Sequence, residues 1–277
     1  MSGENASQAS ERDARALLAT AVAAADAAAA FIRTRAGDAS SIAWIEKSPA
    51  DFVSEVDRGA EERIREIVLA RHPGARVIGE ELTPDALANV GLAFVVDPLD
   101  GTTNFLHGYP EYAVSIGVAR DGELVSAAVV NVPMGERFTA VHGTGAWRDG
   151  VPIRVSRITE PSRALIGTGF PFKHPDTLPS WQRQFGGVML ATAGVRRAGA
   201  AALDLCDVAC GRFEAFWELR LAPWDFAAGL LIVREAGGVV TDLVGEPPPL
   251  THGPIVAGNT AMHRWLLETI AAANDVT

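Results

Sequence analysis

The sequence predicts a mixed α/β protein in two halves, an α+β N-terminal half and an α/β C-terminal half, and the prediction rests on how its apolar residues repeat. Residues 113–155 alternate apolar and polar positions around Asp121-Gly122 and Asp149-Gly150, the mark of antiparallel hairpins. Beyond Arg157 short apolar runs alternate with helical spacings, which implies strands layered against helices. At 277 residues the chain can bury a large core, and two subdomains sharing a cleft are expected, residues 1–152 and 153–277.

In chain order, Met1–Ser10 is small and polar and reads as disordered, followed by one long helix over Arg12–Arg35 that packs through alanine and stops at Gly37. Arg15 and Asp26 interrupt its apolar run and no charged leader precedes it, so an amphipathic helix is expected and not a membrane span. Ser41–Lys47 is a candidate strand, Ala60–Ala70 a helix with Asp57 near its start, and Arg76–Ile78 a short strand closed by Gly79-Glu80-Glu81. Hairpin strands follow at Ala113–Ala119, Leu124–Asn131, Arg137–Val141 and Ala146–Val155. The second half offers strands at Ala164–Gly169, Val188–Ala191, Phe213–Leu219, Val239–Leu243 and Pro254–Ala257, with helices at Ala200–Cys210, Phe226–Ala236 and Thr260–Ala273.

Lysine and arginine total 24 against 34 acidic residues, net −10, which opposes binding to nucleic acid or to an anionic membrane. An acidic protein acting on an anion needs added cations at its site. The cysteines, Cys206 and Cys210, sit four apart on one expected helix with no second pair to complete a zinc site, and the chain reads as cytoplasmic. The six histidines are scattered without metal spacing, and neither a Gly-x-Ser-x-Gly elbow nor a Walker-type loop is present.

The most informative stretch is Val95-Val96-Asp97-Pro98-Leu99-Asp100-Gly101-Thr102-Thr103-Asn104-Phe105. It follows the apolar run Leu92–Val96, so a strand buried on both faces delivers acid at its end. Pro98 cannot donate a ladder hydrogen bond, so pairing is expected to stop there, and Gly101 permits a sharp turn. Asp97 and Asp100 flank the Leu99 carbonyl, which makes three oxygen donors on one arc, suited to a hard divalent cation such as magnesium. Gly101, Thr102 and Thr103 can open a short helix whose N–H groups would face an anion. A bare Asp-x-x-Asp-Gly-Thr is equally a surface turn with a capping aspartate. The full stretch, followed by His107 and Pro110, resembles the signature of the inositol monophosphatase family.

That resemblance runs from Ala14 to the C-terminus. It implies a layered αβαβα sugar-phosphatase sandwich, usually a homodimer. It implies that Glu80, Asp97, the Leu99 carbonyl, Asp100 and Asp225 hold two or three Mg2+ ions, and that Glu80 and Thr102, helped by Asp57, orient and deprotonate the attacking water. Gly101 and Thr102 would hold the phosphate of a small phosphorylated substrate. Gly199, Ala200, Glu218 and Asp225 would line the substrate pocket, with Glu218 accepting hydrogen bonds from the ring hydroxyls of inositol. Ala200 departs from the serine or threonine often found at its place. The activity implied is a magnesium-dependent, lithium-sensitive phosphomonoesterase acting on inositol 1-phosphate. Rival substrates of the same fold are histidinol phosphate, fructose 1,6-bisphosphate, NADP and adenosine 3′,5′-bisphosphate, and a regulatory binding protein is the non-enzymatic alternative.

Overall fold

The computed structural model describes residues 2–36, 44–48, 51–83 and 91–274. The first helix, α1, covers Ser2–Ala36 and begins ten residues ahead of its expected start, taking in most of the stretch expected to be disordered. Gly37, expected to end it, and Ser41–Ala43, expected to open the first strand, lie outside the described residues. β1 (Trp44–Ser48) pairs antiparallel with β2 (Asp51–Ser54), which leads directly into α2 (Glu55–Arg71).

The next strands are β3 (Arg76–Gly79) and β4 (Leu92–Asp100), followed by the short α3 (Thr102–Leu106). β5 (Ala113–Arg120), β6 (Glu123–Asn131), β7 (Arg137–Val141), β8 (Gly145–Arg148) and β9 (Val151–Pro152) complete a sheet in sequence order from β3 to β9. β3 runs parallel to β4 and every later pair is antiparallel, as the hairpin pattern requires. β4 does not stop at Pro98. It pairs Asp97 with Ser115 and Asp100 with Ala113 across a register shift, so a bulge accommodates the missing N–H.

The second sheet uses β10 (Leu165–Thr168), β11 (Gly194–Arg196), β12 (Ala215–Leu221), β13 (Val239–Thr241) and β14 (Gly253–Gly258), ordered β11-β10-β12-β14-β13. Its helices are α4 (Leu178–Ala191), α5 (Ala201–Ala209), α6 (Pro223–Glu235) and α7 (Thr260–Asn274). Val188–Ala191 is therefore the end of α4 and not a strand. Trp181, Phe185 and Val188 recur at helical spacing and pack inward, a period that the short run at 188–191 did not reveal.

Three apolar clusters hold these elements in five layers. α1 and α2 cover one face of the first sheet through Leu17, Ala25, Ile32, Ile64 and Phe94. α1 contains a stretch, Gln8–Ala36, long and apolar enough to cross a membrane, and here its alanine face is buried against that sheet. α5 and α6 fill the space between the two sheets, and α4 and α7 cover the far face of the second. The layers thus read α, β, α, β, α, the sandwich implied by the resemblance.

α6 is packed too closely for side chains at two points. A Cβ on Gly229 would lie 2.6 Å from Leu205 Cβ, and one on Gly117 of β5 would lie 2.9 Å from Ala227 Cβ. Gly229→Ala gains up to about 1 kcal/mol of helix propensity, but overpacking costs about 1–3 kcal/mol, so a net loss of stability is expected. The measurement is the urea unfolding midpoint, and a midpoint raised above that of the wild type contradicts the packing described here.

Candidate active site

The site is built from the ends of β3, β4 and β12 and from the starts of α2 and α6. Asp97 and Asp100 are both buried at the bulged end of β4. Asp97 Oδ1 accepts the Leu99 N–H at 3.0 Å, which folds the arc Asp97–Asp100 onto itself. Gly101 follows at φ +90, and a Cβ there would come within 2.8 Å of the Glu111 carbonyl oxygen, so this turn needs glycine on both counts.

Two of the aspartates also cap helices. Ser54 caps α2, and Asp57 returns the favour by accepting both the N–H and the hydroxyl of Ser54 on Oδ2. Its other oxygen, Oδ1, lies 2.7 Å from Thr102 Oγ1, which is also 3.0 Å from the Leu99 carbonyl. The single hydroxyl proton serves one of these acceptors at a time. Asp225 accepts the Ala222 N–H on Oδ2 at 2.7 Å and so closes the first turn of α6. For Asp57 helix capping and a place at the site are compatible, since each uses a different oxygen.

A cleft of about 380 Å3 is lined by Glu80, Asp97, Leu99, Asp100, Gly101 and Thr102, together with Gly199, Ala200, Glu218 and Asp225. Asp57 reaches this cleft through its bond to Thr102. Glu218 fits because Gly169 lacks a side chain: a Cβ there would stand 2.1 Å from the Glu218 carboxyl carbon.

Charge is the dominant feature of the cleft. Burial pushes the Asp97 carboxyl well above the usual carboxylate range, and the neighbouring charges of Glu80, Asp100 and Asp225 push the same way. Asp100 is raised well above that range by burial and by Asp225, with the Ala202 N–H at 2.7 Å pulling it back. Burial and Asp225 push Glu218 up to about 8, against the attraction of Arg197 and Lys173. Asp57 is raised by burial and held down by Ser54 and Thr102. Among the described residues no three His, Cys, Asp or Glu side chains stand already converged on one point as ligands. The acids nonetheless line one cleft and repel one another through it. Two like charges about 4 Å apart cost on the order of 4 kcal/mol at an effective dielectric near 20. An acidic cluster whose donors are all oxygen suits a hard divalent cation, which would remove that cost.

Further residues brace or line the cleft. Asn104 Nδ2 donates to the Glu111 carbonyl at 2.6 Å and to the Ala198 carbonyl at 2.9 Å, tying the turn after β4 to the Gly199–Ala200 wall. It lies inside the motif, which was the available signal. Asp204 on α5 is buried with Oδ1 lacking a hydrogen-bond partner among the described residues, and it lines the same cleft. Arg197 lies over the rings of Phe170 and Phe172, 5.4 and 5.2 Å from their centroids, at the cleft wall. Nothing local to Asp204 in sequence marks it, whereas Arg197 directly precedes the Ala198-Gly199-Ala200 stretch.

Comparison with known proteins agrees with this architecture. The chain matches the inositol monophosphatase family over residues 13–275. It is 46% identical over 229 residues to a Nus factor SuhB of Pseudomonas aeruginosa, covering 81% of this chain and 84% of that one. It is 45% identical over 224 residues to an inositol-1-monophosphatase of Rhizobium meliloti, with the same coverage of 81% and 84%. The crystal structure of extragenic suppressor protein SuhB from Bartonella henselae superposes at a TM-score of 0.86 with 38% identity, covering 92% of this chain and 98% of that chain. With the match spanning nearly the whole sequence and every layer of the fold, the chain belongs to the inositol monophosphatase family.

Proposed function

We propose that this phosphatase hydrolyses a small polyol phosphate, with inositol 1-phosphate as its first substrate, by attack of an activated water on phosphorus. The observation that carries this reading is the shared cleft, which gathers mutually repelling carboxylates, Glu218 among them. Glu80, Asp97, the Leu99 carbonyl, Asp100 and Asp225 hold two or three Mg2+ ions. When bound, magnesium supplies the positive charge that offsets the phosphate and the leaving alkoxide and makes water more acidic.

The remaining work falls to the chain itself. The Gly101 and Thr102 N–H groups bind the phosphate oxygens. Thr102 directs its hydroxyl proton to Asp57 Oδ1, 2.7 Å away, and thereby turns an oxygen lone pair toward the attacking water. Glu80 takes the proton that this water gives up. Gly199 and Ala200 shape the wall that receives the alcohol, and Glu218 accepts hydrogen bonds from its hydroxyl groups. The cytoplasm and a homodimer are the proposed setting. Relatives named Nus factor SuhB favour a second, regulatory role beside hydrolysis. An Asp97→Asn variant that keeps such a role without turnover would separate the two.

Activity should require magnesium, and Asp97→Asn or Asp225→Asn should lower kcat/KM by about 10³-fold or more, since each removes charge that holds several kcal/mol of transition-state stabilisation. Turnover at the wild-type rate without metal contradicts the mechanism. The same charges govern stability. A buried acid whose folded pKa is raised keeps its proton where the unfolded chain has lost it, so metal-free stability falls as pH rises through that window. For Glu218 the window runs from its ordinary 4.5 to about 8, and Asp97 and Asp100 act in the same direction. The chelated protein should therefore melt at lower temperature at about pH 8 than at about pH 5, magnesium should reverse the loss, and Asp97→Asn should raise the metal-free Tm.

Lithium should inhibit at millimolar concentration, as a small monovalent ion that fills a metal position without enough charge. Glu218→Gln should weaken hydrolysis of inositol 1-phosphate by about 1.5–3 kcal/mol, the usual range for a hydrogen bond to a charged group. Hydrolysis of a hydroxyl-free aryl phosphate should hardly change. Equal losses in kcat/KM on both substrates would show that Glu218 supports the metal cluster or the fold and not the alcohol.

A further inference from the structure

Glu61 lies on α2 with none of its surface exposed, and none of the chemistry above uses it. Its carboxylate accepts two backbone N–H groups, that of Glu81 on Oε2 at 2.8 Å and that of Leu82 on Oε1 at 3.1 Å. The residue just before these two donors is Glu80. The loop that carries Glu80 closes on itself as well: the Gly79 N–H donates to the Thr83 carbonyl at 3.2 Å, and Thr83 Oγ1 donates to the Val77 carbonyl at 2.6 Å. Gly79 has to be glycine for this arrangement, because a Cβ there would stand 2.1 Å from Glu61 Oε1.

A fully buried carboxylate is costly unless its oxygens are satisfied. Here the loop amides supply that satisfaction, and in exchange the loop is held at two successive peptide groups. The Glu80 backbone is thereby fixed between the end of β3 and the Glu61 clamp, while its side chain lines the cleft.

We propose that Glu61 is a positioning residue for Glu80, which by clamping the Gly79–Thr83 loop sets the reach of the Glu80 carboxylate into the cleft and so sets the affinity for the divalent cation. The inference rests on the reading of Glu80 as a metal ligand. Groups that orient a ligand from behind are typically worth about 10- to 100-fold in metal affinity.

The test is titration calorimetry of the full chain with Mn2+ alone, without substrate, together with hydrogen exchange of the Glu81 and Leu82 amides. Glu61→Gln keeps the volume but turns an amide N–H2 toward an N–H donor, so one of the two bonds is lost. Gly79→Ala attacks the same contact from the other side. Each should weaken Mn2+ binding by about 10- to 100-fold and expose the two amides to exchange. The double variant should be little worse than the weaker-binding single, because both substitutions break one contact. The magnesium concentration giving half-maximal activity should rise, with KM for substrate unchanged at saturating metal. Glu62→Gln, on the exposed side of α2, should change none of these. Unchanged Mn2+ affinity in folded Glu61→Gln overturns the proposal, and if that variant does not fold, unchanged affinity in Gly79→Ala does so. Glu80→Gln separates the two levels: if it leaves Mn2+ affinity intact, the ligand reading itself fails, whereas a loss there with none at Glu61 sinks the positioning role alone.

Discussion

The repulsion among buried carboxylates at the end of β4 is the constraint on which the rest of this structure depends. Asp97 and Asp100 are almost completely withdrawn from water and feel the charges of Glu80 and Asp225 across the cleft. Left alone such a cluster would take up protons or spread apart. The fold prevents spreading by rooting each acid in a rigid element: β4 inside the first sheet, the clamped loop after β3, and the start of α6 wedged between β5 and α5. A protein that keeps these charges together accepts a local instability, which is the usual cost of a site prepared for a cation.

The economy of the site lies in how its oxygens are divided. Asp57 and Asp225 each commit Oδ2 to the first turn of a helix, and Asp57 commits Oδ1 to Thr102. A helix start is rigid, so an acid anchored there has little freedom to move away from its neighbours. Asn104 does the corresponding work between the two halves of the cleft, joining the turn that follows β4 to the wall at Ala198. The same side chains thus cap helix starts and stand at the cleft.

The lining around Glu218 has a different character. Glu218 is half-buried beside Gly169, with Arg197 and Lys173 moderating its charge, and Phe170 and Phe172 line the same cleft beneath Arg197. Ala200 contributes no hydroxyl there. Relatives in this one family carry both the name inositol-1-monophosphatase and the name Nus factor SuhB.

What the sequence determined by itself was local. The run Asp97–Phe105, the Gly79-Glu80-Glu81 turn and the Trp224-Asp225 pair are each short enough to be recognised from neighbouring residues alone, and the alternating pattern of residues 113–155 dictated the hairpins. Where a local rule met a tertiary one, the tertiary rule won: β4 continued through Pro98 because a bulge against β5 preserved its pairing, and Val188–Ala191 joined a helix because Trp181 and Phe185 share its buried face. Only the folded chain could bring Glu61 to the Glu81 amide, Asn104 to Ala198, or Asp204 to the cleft. Hydrogen bonds between residues 20 or 94 positions apart leave no periodicity in the sequence, since their partners are chosen by the packing of whole layers and not by the residues beside them.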